Sequence, residues 1–236
     1  MKIRPVSIDQ VFKKWPPDWP PKETFINQHD VTQAQYLAFK WLVDARAGER
    51  EIEKFLGANK EVLALILFLY STGHHASWLY SKQQIRPPSP SLAGLIPDYL
   101  GAAANSDGVS WWLLELKGAD KKAFGLRGKR VCLSADANQG VCQLLGYIDA
   151  SSRSQAYLRD ELKLTGFREP RGILLIGTEH ETSDERIQNF KAAWNRLNPR
   201  VQIRSYDALV RTVKSKIEGI SGANNPMQPT HENARG

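Results

Sequence analysis

The segment VSWWLLELK, residues 109–117, sets a carboxylate and an ammonium two residues apart at the end of an apolar run. In a strand, alternate side chains point to opposite faces, so Trp111, Leu113, Glu115 and Lys117 share one face. Trp112, Leu114 and Leu116 share the other. Such a strand is buried on both faces, and its charged end is costly unless the charges pair or hold an ion. An ion pair alone would meet that demand without any chemistry. Asp98 changes the picture. It lies in LIPDYLG, ahead of the turn signal Asn105-Ser106-Asp107-Gly108. A meander folded there lays Asp98 opposite Glu115, each about eight residues from the turn centre. Two facing carboxylates repel. A divalent cation relieves the repulsion, and an oxygen-rich, half-open site suits Mg²⁺ or Mn²⁺.

Three further groups bear on such a site. Gln139, Gln143 and Tyr147 recur every four residues and form one helical stripe. Val141, Leu144, Leu145 and Ile148 form the apolar side of the same helix. In EREIEKFL, residues 49–56, the buried stripe is Ile52, Phe55 and Leu56. Glu51 lies beside that stripe and Glu53 points away, so Glu51 is the carboxylate expected to reach the strand ends. The stretch Lys117–Arg130 carries Lys121, Lys122, Arg127, Lys129 and Arg130, with Asp120 as its one acid and three glycines among them. It reads as a mobile basic loop suited to phosphate contacts. His180-Glu181 lacks the second histidine of a zinc helix motif and reads as loop, and His74-His75 as a turn. Neither cysteine has a neighbouring histidine in sequence.

The elements that position these groups follow from periodicity and punctuation. WPPDWPP, residues 15–21, predicts an extended arm that is neither helix nor strand. Helices are expected over Val31–Ala47 and Glu49–Leu69, the second interrupted near Gly57–Asn59. Strands are expected over Trp78–Ile85, Leu95–Ala103 and Val109–Leu116, with a loop over Arg86–Leu92 between the first two. A helix capped by Ser134 runs to about Ala150, and GILLIG at 172–177 is a buried strand. A helix over Asp184–Leu197, a strand over Val201–Arg204 and a helix over Asp207–Ile217 complete the order. From Ser221 the chain is almost devoid of apolar residues and is expected to be disordered. Together this is one α/β layered domain with a mixed sheet.

A chain of 236 residues suits one domain and buries enough surface to need no disulfide or metal staple. Its two cysteines cannot form a disulfide framework or a four-thiolate zinc site and suit a reducing cytoplasm. The longest apolar run, VLALILFLY at 62–70, is too short to span a bilayer, and the first fifteen residues lack a signal-like stretch. A soluble cytoplasmic protein with no membrane partner is the expectation. The net charge of +7 favours a polyanionic partner.

The spacing Pro97-Asp98, then Glu115-Leu116-Lys117, resembles the PD-(D/E)XK motif of metal-dependent nucleases. The surrounding order of elements matches that superfamily's core, and Gln143 with Tyr147 matches a Gln-x-x-x-Tyr element found in several of its branches. More specifically, EIEKFLGANKEVL, LIPDYL, WWLLELKG, SADANQGVCQLLGYID, EPRGILLIGT and SYDALV resemble, in order over roughly residues 46–212, the Shedu antiviral nucleases. The resemblance implies a restriction-endonuclease-like core over 46–218, preceded by an arm and helix over 1–45 and followed by a disordered tail over 219–236. It implies a Mg²⁺-dependent DNA endonuclease acting on double-stranded DNA in phage defence, as a homo-oligomer. Asp98, Glu115 and the Leu116 carbonyl would hold the metal, Lys117 would assist, and Glu51 would take the first-helix position. Gln139, Gln143, Tyr147 and the basic loop would face DNA. A restriction-like or repair nuclease of the same fold is one rival, and a nucleic-acid-binding module that does not cut is another.

Overall fold

The computed structural model describes residues 15–69, 76–86 and 95–223. The arm is more structured than its prolines predict. A single 3₁₀ turn over Lys22–Thr24 leads into a two-residue strand, β1 (Phe25–Ile26), paired antiparallel with Trp78 and Ser77. Trp15, Trp19, Phe25 and Trp78 pack edge to face, and this aromatic cluster supplies the order that local sequence lacks.

Helix α1 (Gln33–Asp44) starts at a capping box, in which the Thr32 hydroxyl accepts from Gln35 N–H and the Gln35 side chain accepts from Thr32 N–H. Helix α2 (Glu49–Ala58) follows after Gly48, and α3 (Lys60–Ala64) after the expected break, at Asn59; a 3₁₀ turn continues to Leu69. Strand β2 (Ala76–Ser81) stops at Lys82, whose φ of 50° turns the chain out of the sheet. The expected Arg86–Leu92 loop lies mostly outside the described residues, and His74-His75 lies wholly outside them. Strand β3 (Tyr99–Asn105) begins four residues later than expected, because Pro97 has no N–H to give a ladder. Strand β4 (Gly108–Leu116) returns from the turn as anticipated.

The basic stretch is a loop only over residues 117–123, before it pairs with itself. It forms a hairpin, β5 (Phe124–Arg127) and β6 (Arg130–Leu133), closed by Gly128 at φ 59°. Its glycines suggested mobility and hid a period-two pattern that sets Phe124 and Leu126 against Leu133 and Val131. Helix α4 (Ala135–Arg153) is capped by the Ser134 hydroxyl, as expected. Then come β7 (Arg171–Leu175), α5 (Glu185–Leu197) capped by Asp184, and β8 (Val201–Arg204). The last helix, α6 (Tyr206–Ala223), runs beyond the expected end at Ile217 and past the start of the expected tail; residues 224–236 lie outside the described part.

The main sheet has six strands in the order β1-β2-β3-β4-β7-β8. The β1–β4 meander is antiparallel, while β7 and β8 add parallel to β4 through α4 and α5. It is a mixed sheet flanked by helices. On one face Trp112, Leu114, Leu116, Ile173 and Leu175 pack with residues of α1–α3 and α6. On the other, Trp111, Leu113, Leu174, Ile176 and Ile203 pack with residues of α4 and α5. The outer edge of β8 is closed by Asn195, whose amide both donates to the Ile203 carbonyl and accepts from its N–H. On α4, Leu145 is 51% exposed and lies off the apolar side assigned to it, because Val141, Leu144 and Ile148 already cover the sheet.

Gly177 joins this frame to the end of β4. Its φ is 65°, a Cβ there would stand 2.4 Å from the Lys121 carbonyl oxygen, and its N–H donates to Gly118. Gly177→Ala combines backbone strain with a clash against main chain, so it is expected to cost upwards of about 2 kcal/mol in a denaturant melt. A variant within 0.5 kcal/mol of wild type, roughly the spread of neutral surface changes, would show that this contact does not hold the β4 end.

Candidate active site

The β3–β4 register runs from Asn105↔Gly108 to Tyr99↔Leu114, so its next rung sets Asp98 opposite Glu115. Asp98 is fixed there by the Leu116 N–H, which donates to its Oδ2 at 2.9 Å. Glu115 and Lys117 are only 4% and 8% exposed, and the Lys117 ammonium donates to Glu115 Oε1 at 2.9 Å. The Lys117 peptide is held from both sides. Its N–H donates to Leu175 at 2.9 Å, and its carbonyl accepts the Tyr206 hydroxyl at 2.6 Å. Asp98, Glu115 and Lys117 are thus brought together, at the strand end where their spacing put them.

Helix α2 lies over this end of the sheet, but with a different face from the one expected. Glu49 and Glu53 approach the cluster. Glu49 Oε2 lies 4.0 Å from the Lys117 ammonium, and Glu53 Oε1 lies 2.7 Å from Lys82 Nζ. Glu51 is exposed and follows Phe55, which stacks on Phe39 of α1. The helix is anchored by Ile52 and Leu56, which are fully buried. With those two pointing at the sheet, Glu49 and Glu53 flank them on the strand-end side and Glu51 falls on the α1 side. Lys82 is a member that sequence reading did not pick out. Its ammonium also lies 2.7 Å from Asp98 Oδ1, and its N–H donates to the Asp98 carbonyl.

The stripe on α4 descends towards the cluster: Gln139 is exposed, Gln143 half-buried, and Tyr147 is 8% exposed. Gln143 Oε1 is buried without a hydrogen-bond partner among the described residues. Burial raises the Tyr147 phenol pKa, and the negative charges of Glu115 and Asp98 raise it further. Lys121 sits beside Asp120 at 3.7 Å in the segment that joins β4 to the hairpin, Lys122 is exposed on the same segment, and Arg127, Lys129 and Arg130 are exposed on the hairpin.

The electrostatics separate the two members of the buried pair. Burial pulls the Lys117 ammonium down, but its hydrogen bond to Glu115 and the surrounding carboxylates outweigh this and raise it. Glu115 goes the other way for an acid that has a partner: burial first, then Asp98 opposite, push it up to about 7, against the pull of Lys117. The two directions agree once every neighbour is counted. Lys117 faces only carboxylates, whereas Glu115 faces Asp98 and Glu49 as well as Lys117. Lys117 is therefore the permanently charged partner and Glu115 the one that titrates. Lys82 is likewise raised, the carboxylates of Asp98 and Glu53 overcoming its desolvation.

Among the described residues, no three His, Cys, Asp or Glu side chains converge closely enough to enclose a metal ion by themselves. The donor set is two facing carboxylates, Asp98 and Glu115, with the carbonyl of Leu116, the residue after Glu115. That set fits Mg²⁺, which keeps several waters and takes one or two carboxylates plus substrate phosphate oxygens. The four carboxylates of Glu49, Glu53, Asp98 and Glu115 exceed the ammonium groups of Lys82 and Lys117 by two charges, and a divalent cation balances them.

A pH dependence follows. Between about pH 4.5 and pH 7 the folded protein keeps a proton on Glu115 that the unfolded chain has released. Stability from this site is therefore present below that window and falls as pH rises through it, by up to about 3 kcal/mol. Glu115→Gln keeps the shape and removes the titration. Metal-free melts across the window should show the gap between variant and wild type shift in the variant's favour as pH rises. A constant gap would refute the raised pKa of Glu115.

Comparison with curated proteins returned no match. A family model described as Shedu protein SduA, C-terminal, matches residues 46–210, which takes in α2, the Asp98–Glu115–Lys117 cluster, the hairpin, α4 and the Tyr206 lock. By that match, which covers more than half its length, the chain belongs to the Shedu SduA C-terminal family.

Proposed function

We propose that this protein is a metal-dependent DNA endonuclease of Shedu type, hydrolysing phosphodiester bonds in antiviral defence. The observation that carries the reading is the convergence of Asp98, Glu115 and Lys117 at one end of the sheet, in a chain of the Shedu family. A Mg²⁺ or Mn²⁺ ion bound by Asp98, Glu115 and the Leu116 carbonyl would lower the pKa of a bound water and offset charge on the scissile phosphate.

The chain's own residues supply orientation and charge. The Leu116 N–H fixes one oxygen of Asp98, so the carboxylate is held in one pose in which it would receive the ion. Lys117, held by Glu115 and anchored at both ends of its peptide, presents a positive charge where negative charge grows in the transition state. Gln143 offers a buried amide oxygen without a partner among the described residues, and its side chain bonds to Tyr147, whose phenol feels the charges of Glu115 and Asp98. Arg127, Lys129 and Arg130 on the hairpin, with Lys121 and Lys122 at its base, would grip backbone phosphates without reading bases.

Two experiments test this. Asp98→Ala and Glu115→Ala should each lower Mg²⁺-dependent cutting of linear and circular duplex DNA by at least ~10³-fold, the factor that about 4 kcal/mol of transition-state stabilisation represents. Undiminished cutting by both would refute the site, and tight DNA binding with no cutting by wild type at any Mg²⁺ concentration would favour a binding module. For the hairpin, glutamine at positions 121, 122, 127, 129 and 130 should weaken binding of all duplex sequences alike. Measured in a Glu115→Ala background, the slope of log affinity against log salt should flatten by ~0.9 per lost contact. An unchanged slope would retire the hairpin as a DNA contact.

A further inference from the structure

Lys82 occupies a place that its own sequence neighbourhood does not explain. It stands just past the end of β2 in a left-handed conformation, φ 50°, which few side chains other than glycine adopt without reason. Both ends of the residue are tied to Asp98, the N–H to its carbonyl at 3.0 Å and the ammonium to Oδ1 at 2.7 Å. The same ammonium reaches Glu53 Oε1 on α2 at 2.7 Å. Asp98 therefore has Oδ2 engaged by the Leu116 N–H and Oδ1 by Lys82, while Glu53 and Asp98 are joined through a positive charge.

We propose that Lys82 is a built-in cation: its ammonium fills the gap between Glu53 and Asp98, so that the site takes one divalent metal ion, on the Glu115 side of Asp98, and not two. The inference rests on the metal-dependent reading above. Without Lys82, Glu53, Asp98 and Glu115 would line two adjacent clefts sharing Asp98, the usual setting for a pair of ions bridged by one carboxylate. An ion in the Glu53–Asp98 cleft would need oxygens at ~2.1 Å, in the space where the ammonium already contacts both carboxylates. The charge count agrees: with both lysines charged and all four acids ionised, one divalent ion neutralises the cluster and a second would leave it positive. Lys82 then joins α2 to β3 whether or not metal is bound, which a diffusible ion could not do.

The test counts ions, not turnover. Mn²⁺ binding to the full chain is measured by calorimetry and by counting bound Mn²⁺ with electron paramagnetic resonance, at low ionic strength and without DNA. Wild type should take one ion per chain. Lys82→Met, which keeps the unbranched stem to Cε and removes the charged nitrogen, should take two, and Lys82→Arg, which keeps the charge, should stay at one. Circular dichroism checks that the variants fold, and Lys82→Gln serves if the methionine variant does not. Two ions in wild type would overturn the proposal by showing the ammonium displaced, and one ion in Lys82→Met or Lys82→Gln would overturn it by showing the second cleft unable to hold a metal. No ion bound by wild type or any variant would instead bring down the metal-dependent reading on which the proposal stands.

Discussion

Everything in this fold answers to the cost of placing Glu115 and Lys117 at the buried end of a central strand. An isolated charge in such a place costs several kcal/mol, and a paired one breaks even only when its remaining hydrogen-bonding capacity is met. Here the main chain is satisfied first. The Lys117 peptide is closed by β7 on one side and by Tyr206 on the other, and Asp98 takes the Leu116 N–H. The side chains keep an unsettled remainder. Glu115 faces Asp98 with only Lys117 to offset it and accepts a proton near neutrality. A site that is rigid in its backbone and short of positive charge is poised to accept a cation.

The same constraint sets what surrounds the strand. Tyr206 is fully buried, and its phenol is held far less acidic than usual by burial and by the nearby carboxylates. It therefore remains a hydrogen-bond donor and locks α6 to the strand end. Helix α2 offers its acids to the cluster because Ile52 and Leu56 fix its rotation. Packing thus chooses which carboxylates reach the site, and charge then decides what they bind.

The Asp98–Glu115 pairing was legible because a hairpin with a clear turn has a countable register, and a slip of one residue would have put Asp98 on the wrong face. The order of helices and strands was legible for a similar reason, since period and punctuation agreed along most of the chain. What escaped came from tertiary contact. Glu51 and Glu53 lie on opposite sides of the Ile52–Leu56 stripe; Phe55 stacking on Phe39 turns the Glu51 side towards α1, and nothing within EREIEKFL reports which side meets the strand end. Lys82 fell inside the expected Trp78–Ile85 strand and was not singled out, because its partners arrive from α2 and from the far side of the 87–94 segment. The hairpin was obscured by three glycines, although the alternation of Phe124, Leu126, Val131 and Leu133 was there to be found. The arm's order depends on Trp78, some sixty residues away.

In the proposed function the hairpin keeps grip apart from chemistry. At its base Phe124 packs edge to face on Phe190 of α5, which holds the hairpin against the body of the protein. At its tip Arg127 pairs directly across from Arg130, with Lys129 in the turn between them. Like charges facing each other across a hairpin destabilise it, so local stability is not what these residues serve. The repulsion is tolerable because the base is anchored elsewhere, and a polyanion laid across the tip would reverse its sign. The cluster of Glu49, Glu53, Asp98 and Glu115 with Lys82 and Lys117 works the other way: there the negative charges are in excess and both ammoniums are held by carboxylates. Excess negative charge at one end of this connection and excess positive charge at the other are what the proposed function needs, since a phosphodiester chain carrying divalent counter-ions would satisfy both at once.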